Sequence, residues 1–453
     1  MFLLNLPQEA DLITYDIETY PNIFNIGFKC LNTEQRWYFE ISTRTNDIEL
    51  FYKFMLLIAD KRMVGFNNVG FDYPVIHMIM KTAHAGCDWN DIYKKAMSII
   101  NAPFNSRFVS MVYESDWLVE QIDLLKIHHF DNQAKLTSLK VLEFVMQMDS
   151  VEDLPFDVGN DLTHPQMNIL RDYMWHDIDA TERFLVASMK AITFREKLTL
   201  EHGRSFMNHN DTKIGKDIFI ARLEAAVPGC CYRKIDGKKT LQQTPRDSIN
   251  LGDVILPYVQ FDSPEFMRIL DWFNNKIITE TKGAIKDLSC VKDGFKFDFG
   301  TGGIHGSVES QVIHATDDMI IEDWDVASYY PNLAIVNNLR PEHLGDTFNV
   351  IYKELYDERQ THAKGTVENA ALKLALNGSY GDSNSQYSPL YDPKFTMAIT
   401  INGQLSLCML AEKLMTMDDL QMIQINTDGL TIKYPRVHKD WVHSVCKWWE
   451  ELT

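Results

Sequence analysis

Three strand-like runs in close succession constrain this chain most: residues 11–18 (DLITYDIE), 22–31 (NIFNIGFKCL) and 36–42 (RWYFEIS). Each has strand length and strand composition, and turn residues separate them, so the chain is expected to open with consecutive strands of one sheet. Helical periodicity follows at 48–60, a short strand at 62–67, a helix at 73–83 and a further strand at 121–128 (QIDLLKIH). A long helix is predicted from His164-Pro165 to about residue 192, with Pro165 suited to its first turn. The first 190 residues therefore read as one mixed α/β unit.

Residues 191–310 are less regular. They hold PGCCYRKIDGKK and the Gly-rich FGTGGIHGS, and read as a connection leading into a second domain. A strand is predicted at 319–330, then two helices at 349–364 and 366–378 joined near Gly365. At 421–434 (QMIQINTDGLTIKY), Asp428-Gly429 stands between two apolar-rich runs, which signals a β-hairpin. A last helix starts at Lys439 and is expected to be cut by the chain end. At 453 residues the chain is too long for one ordinary core, so several domains are predicted, α/β and then α+β.

Composition narrows the partners. No apolar run approaches the roughly 18 residues of a membrane span, and the opening residues MFLLNLPQEADL lack a basic leader. The seven Cys show no CxxC spacing, so neither a disulfide framework nor a zinc site is expected, and a reducing cytosol fits. A net charge of −19 by itself argues against a nucleic-acid partner. That argument weakens if the carboxylates serve divalent cations, which neutralise them. Two local basic stretches stand out, Arg233, Lys234, Lys238 and Lys239, and Arg359 to Lys364. Each reads first as solvated surface and second as a DNA track.

The carboxylates carry the chemistry. In TYDIETY, Asp16 and Glu18 are two apart on a strand and so share a face. Such a pair is costly without a cation. Asp72 in GFNNVGFDYP opens a helix, where a plain capping role would also suit it. Tyr173 and Asp177 in YMWHD are four apart on one helix face. Taken in order, YDIE, GFNNVGFD and YMWHD resemble the three exonuclease motifs of proofreading DNA polymerases, whose fold is ribonuclease-H-like. The resemblance implies that Asp16, Glu18, Asp72 and Asp177 ligate two divalent ions. It also implies that Tyr173 orients the attacking water and that Asn67 and Phe71 contact a frayed 3′ end. Paired ions about 4 Å apart would activate the water and stabilise the leaving oxygen.

The second half resembles the polymerase motifs of family B. DWDVASYYPNL is similar to motif A, which implies a metal ligand at Asp325, help from the Val326 carbonyl, and a steric gate at Tyr330 against a ribose 2′-OH. KLALNGSYG is similar to motif B. Lys373 would meet the triphosphate, beside Asn377, and Tyr380 and Gly381 would pack on the nascent base pair. Arg359 is a second triphosphate contact in this reading; the spacing after it departs from the family's, so Lys364 is not carried over. NTDG is similar to motif C, usually D-T-D: Asp428 matches the metal-binding second Asp, Thr427 lies on the DNA side, and Asn426 replaces the first Asp. Gly302 and Gly303 resemble the turn that contacts template, although a tight hairpin turn would look the same.

Nothing after Tyr434 resembles the thumb of family B enzymes. A truncated chain or one half of a split polymerase is therefore expected, with a second polypeptide or a missing C-terminal segment supplying the thumb. Motif I begins at Asp16 and 48 residues separate Asp325 from Lys373, which suggests a compact bacteriophage type. The implied plan is a ribonuclease-H-like 3′→5′ exonuclease domain (1–190), a connecting region and palm entry (191–310), palm with motif A (311–345), short helical fingers (346–385) and palm with motif C (386–453).

The implied activity is DNA-directed DNA polymerase with proofreading, using two Mg²⁺ or Mn²⁺ ions per active site on primer–template and dNTPs, in the cytoplasm of a host cell. Processivity and replisome proteins are the further partners this admits. The alternative is an active exonuclease whose polymerase half is only a DNA-binding platform. A non-catalytic replication scaffold is the third reading.

Overall fold

A computed structural model describes residues 11–31, 33–103, 110–132 and 135–453. The opening stretch read for a leader, residues 1–10, lies outside the described residues. Two compact units divide the chain at Asp211/Thr212.

The first unit holds strands β1 (Leu12–Tyr20), β2 (Ile23–Cys30), β3 (Arg36–Ser42), β4 (Arg62–Gly65) and β5 (Glu120–Asp123). Its helices are α1 (Ile48–Leu57), α2 (Asp72–Thr82), α3 (Trp89–Ile100), α4 (Leu124–Ile127), α5 (Leu139–Val145) and α6 (His164–His202). The sheet order is β3-β2-β1-β4-β5, antiparallel through β1 and parallel from β1 to β5. The three opening strands are as the sequence predicts. β2 is buried along its whole length because both faces of the sheet are covered. Phe28 packs with Phe51 and Phe54 of α1 on one face. Its neighbour Gly27 points the other way, toward α6.

Gly27 sets the height of α6. A Cβ there would lie 2.6 Å from both Ile178 Cδ1 and Met174 Cε. Gly27 is also the cross-strand partner of Asp16, so the missing side chain lets α6 bring Asp177 down over Asp16. Gly27→Val is expected to lift the helix, costing ~1–3 kcal/mol by overpacking. Thermal melting would measure that cost, and any activity of this face should fall further than stability does.

Two expectations in this unit are corrected. The strand predicted at 121–128 stops at Asp123, because its carboxylate accepts from the backbone N–H groups of Leu125 (3.0 Å) and Lys126 (3.4 Å) and starts α4. The boundary at 190 falls inside α6, which runs 39 residues to a left-handed Gly203. Buried Arg195 holds the last turns in place, with its Nε donating to the His209 carbonyl (2.8 Å) and Nη2 to Asp211 (2.9 Å).

The second unit is also more ordered than the sequence suggests. α7 (Asp211–Ala226), the pair β6 (Tyr232–Ile235) and β7 (Lys238–Leu241), the two-residue strands β8 (Ile249–Asn250) and β9 (Ile277–Ile278), and α8 (Pro264–Asn274) fill what reads as a connection. β10 (Leu288–Lys292), β11 (Phe295–Phe299), β12 (Ile304–Ser307), β13 (Met319–Asp325), β14 (Gln421–Asn426) and β15 (Gly429–Pro435) form one antiparallel sheet, in the order β10-β11-β12-β14-β15-β13. The remaining helices are α9 (Tyr329–Val336), α10 (Gly345–Thr361), α11 (Val367–Asp382), α12 (Pro393–Leu414) and α13 (Lys439–Leu452). α12 is absent from the sequence reading. It is buried on nearly every side, so it shows no polar face and no amphipathic period. Among the described residues, no helix is long and apolar enough to cross a membrane.

Candidate active sites

In the first unit the strand period and α6 do what the spacing predicts. Asp16 and Glu18 leave one face of β1, and Asp177 reaches them from α6, so that ligand oxygens of the three lie within 4.8 Å of one another. Asp72, buried at the first residue of α2, acts on both through its charge. Burial first, then Asp72, Glu18 and Asp177, hold the Asp16 carboxyl well above the usual range. Burial, Asp177 and Asp72 do the same to Glu18. Asp72 and Asp177 are each pushed up to about 7, chiefly by burial. Tyr173 lies one turn from Asp177 on α6, and burial, then the charges of Asp177 and Glu18, push its hydroxyl above the usual range. A set of hard oxygen donors held this close fits divalent ions such as Mg²⁺ or Mn²⁺.

Crowding of this kind has a measurable cost. A carboxyl whose folded pKa is raised binds protons more tightly when folded, so stability falls as pH rises from about 4, the unfolded value, through about 7. In chelator, Asp72→Asn is therefore expected to stabilise the chain at pH 7.5 by about 1 kcal/mol or more, ~2–4 °C in melting temperature. The gain should vanish near pH 4, and Mg²⁺ should raise the melting temperature of wild type more than that of the variant. Differential scanning fluorimetry with and without Mg²⁺ checks both.

The loop from β4 to α2 carries Asn67 and Phe71, and here the structure adds a residue that spacing could not reveal. Buried Asp123 accepts from the N–H groups of Asn67 (3.0 Å) and Val69 (3.2 Å). Two residues earlier on the same strand face, Gln121 accepts from Asn68 Nδ2 (3.1 Å) and Tyr15 OH (2.8 Å). These bonds hold Asn67 at φ 64°, a left-handed conformation that Asn tolerates. Glu143 and His176, 3.1 Å apart, also adjoin Asp177. The only sequence signals for them were a polar residue closing an apolar strand and a His beside a motif Asp.

In the second unit, Asp325 ends β13 and Asp428 occupies the β14–β15 turn. The register places Asp325 opposite Gly429, and the Val326 N–H donates to the Asp428 carbonyl (2.8 Å). Gly429 is required there, since a Cβ would lie 2.4 Å from the Trp324 carbonyl. Both Asp side chains are exposed. Slight desolvation of the carboxyl, then the charges of Asp428 and Asp323, raise the Asp325 pKa. They open into a cleft of ≈ 730 Å³, walled also by Ser328, Tyr330, Arg359, Lys364, Lys373, Asn377 and Thr427. Lys364, set aside on spacing, thus joins the wall with Arg359 and Lys373.

Tyr330 is fixed from three sides. Its hydroxyl donates to the Gly302 carbonyl (3.0 Å), its ring meets Tyr380 edge-on at 4.8 Å, and a Cβ on Gly403 would lie 2.8 Å from it. Gly303 abuts Thr427, whose Oγ1 would be 2.6 Å from an added Cβ, so the Gly-Gly turn lies against the Asp428 hairpin. Arg359 Nη1 donates to Ser328 Oγ (3.1 Å). Gly381 is not among the residues walling the cleft. Asn426 is exposed and pairs with Gly429 across the turn.

No family model matches the chain, and no curated protein matches it in sequence. In three dimensions it is similar to the family B DNA polymerase from the hyperthermophilic archaeon Pyrobaculum calidifontis, with a TM-score of 0.50 and 14% sequence identity over 99% of this chain. The fold is polymerase-like. The chain spans 56% of the length of that archaeal enzyme. The mixed α/β multidomain character expected from the sequence agrees with this likeness.

Proposed function

We propose that the chain is a DNA-directed DNA polymerase of family B type with a 3′→5′ proofreading exonuclease. The observation that carries this reading is the juxtaposition of Asp325 at the end of β13 with Asp428 in the β14–β15 turn, in a cleft walled also by Arg359, Lys364 and Lys373. The four-carboxylate cluster on a separate unit of the same polymerase-like fold supports the second activity. In this reading the first unit is the exonuclease domain. The six-stranded sheet is the palm, and the helical pair α10–α11 the fingers.

In the exonuclease, Asp16, Glu18, Asp72 and Asp177 would hold two divalent ions, and Asp325, Asp428 and the Val326 carbonyl would hold two more in the palm. Bound there, the ions supply an activated oxygen nucleophile and charge neutralisation at the phosphate. Tyr173, one turn from Asp177 on α6, orients the attacking water, while Asn67 and Phe71 hold the frayed 3′ end. Lys373, Arg359 and Lys364 meet the triphosphate with fixed positive charge. Tyr330 cannot swing aside, so it rejects a 2′-OH by sterics. Asn377 and Tyr380 flank the incoming nucleotide, and Gly302, Gly303, Gly381 and Thr427 adjoin the DNA.

The test is a 5′-labelled primer–template with Mg²⁺, with and without dNTPs. Wild type should shorten the primer without dNTPs and lengthen it with them. One observation favours a second reading, an exonuclease with a DNA-binding but inactive palm: Asn426 stands where a carboxylate is usual. Incorporation that Asp428→Ala abolishes would exclude it.

A further inference from the structure

The β6–β7 ribbon is used by neither site. It turns at Asp236 and Gly237, both at positive φ (50° and 76°), and Arg233, Lys234, Lys238 and Lys239 are all exposed on it. Among the described residues no carboxylate forms an ion pair with any of the four. Lys239 lies over the Tyr232 ring, 3.7 Å from its centroid. The register sets Lys234 directly opposite Lys239. Like charges in that cross-strand position are destabilising, and in a chain of net charge −19 there is no shortage of acidic residues to relieve them. Arg233 and Lys238 fall on the opposite face of the ribbon.

The base of the ribbon is firmly built. The Glu224 carboxylate on α7 accepts from the N–H groups of Gly229 (2.8 Å), Cys231 (2.7 Å) and Tyr232 (2.9 Å). That carboxylate is thereby engaged, so its cluster with Cys230 and Cys231 serves as a staple. Beyond the ribbon, Gln243 Nε2 donates to the carbonyls of Gln386 (2.8 Å) and Ser388 (2.7 Å), and the Thr244 N–H to Tyr391 (2.9 Å). The anchoring loop directly follows α11, the helix that carries Lys373 and Asn377 into the cleft.

We infer that the ribbon is a DNA-backbone contact, with Lys234 and Lys239 engaging phosphates beside the polymerase cleft. The inference rests on the functional reading above for its ligand, and for its site on two directly opposed, exposed lysines that form no ion pair among the described residues. Each phosphate neutralised contributes about 0.9 to the slope of log affinity against log salt on duplex, and about 0.7 on a single strand.

The experiment is binding of a fluorescent primer–template to the full chain in chelator, across a salt series. Lys234→Ala/Lys239→Ala is compared with Arg233→Ala/Lys238→Ala, which removes the same net charge from the other face. The first pair should lower the slope by about 1.8, or about 1.4 if the contact is to single strand, without lowering the melting temperature. An unchanged slope overturns the inference, as does an equal fall in the second pair, which would reveal long-range charge in place of contact. If wild type binds DNA but neither shortens nor extends it, the enzymatic reading fails, and the slope comparison alone decides the ribbon assignment. If wild type does not bind DNA at all, both fail.

Discussion

Asp16→Ala should abolish primer shortening, lowering its rate about 10³-fold or more, while leaving extension with dNTPs intact. The size follows from what the side chain does in the proposed site. Asp16 is central to the cluster: its carboxyl feels Asp72, Glu18 and Asp177 together. Loss of a ligand that holds a catalytic cation removes several kcal/mol of transition-state stabilisation, and each 1.4 kcal/mol is about tenfold in rate. Because Asp16 belongs to a unit with its own core, the second unit should be unaffected. Single-turnover shortening of a 5′-labelled strand, with extension by the same preparation as control, measures both. Shortening at the wild-type rate would remove the four-carboxylate site from the mechanism.

Asp325→Ala is expected to do the reverse, suppressing dNTP incorporation about 10³-fold or more with shortening retained. Here Asp428 alone would remain, and β13 and β15 would keep their register because the Val326 N–H bond to the Asp428 carbonyl is between backbone atoms. Asp325→Asn should fail almost as badly, since it preserves shape but removes the charge that a cation needs. Incorporation by the variant at the wild-type rate would place the chemistry elsewhere in the cleft. No incorporation by wild type, with shortening intact, would favour the exonuclease reading and draw attention to Asn426.

Much of the first unit was legible because its signals are local. Asp16 and Glu18 at strand spacing, and Tyr173 and Asp177 at helix spacing, declare a shared face before any fold is known. The same holds for the Asp428-Gly429 turn, which forms as the residues on either side of it predict. α12 was illegible for the opposite reason: a helix buried all round has no pattern to read, and its Thr, Asn and Gln residues disguise its burial. β10, β11 and β12 were hidden in a stretch whose short strands gain stability only from pairing with each other and with β14.

What the sequence by itself determined was the set of chemical groups and their local faces: which carboxylates, on which strand or helix, and which turn. What only the tertiary structure decided was how near those groups come to each other. Gly27 lets α6 approach β2 closely enough to bring Asp177 to Asp16, and Asp123 holds the Asn67 loop from a strand more than fifty residues away. Gly303 and Gly403 bring the Gly302-Gly303 turn and α12 against Thr427 and Tyr330. Lys364 reaches the cleft wall despite spacing that argued against it. Periodicity reports a residue's own element, whereas close approach depends on atoms missing from some other element, and no local pattern records that.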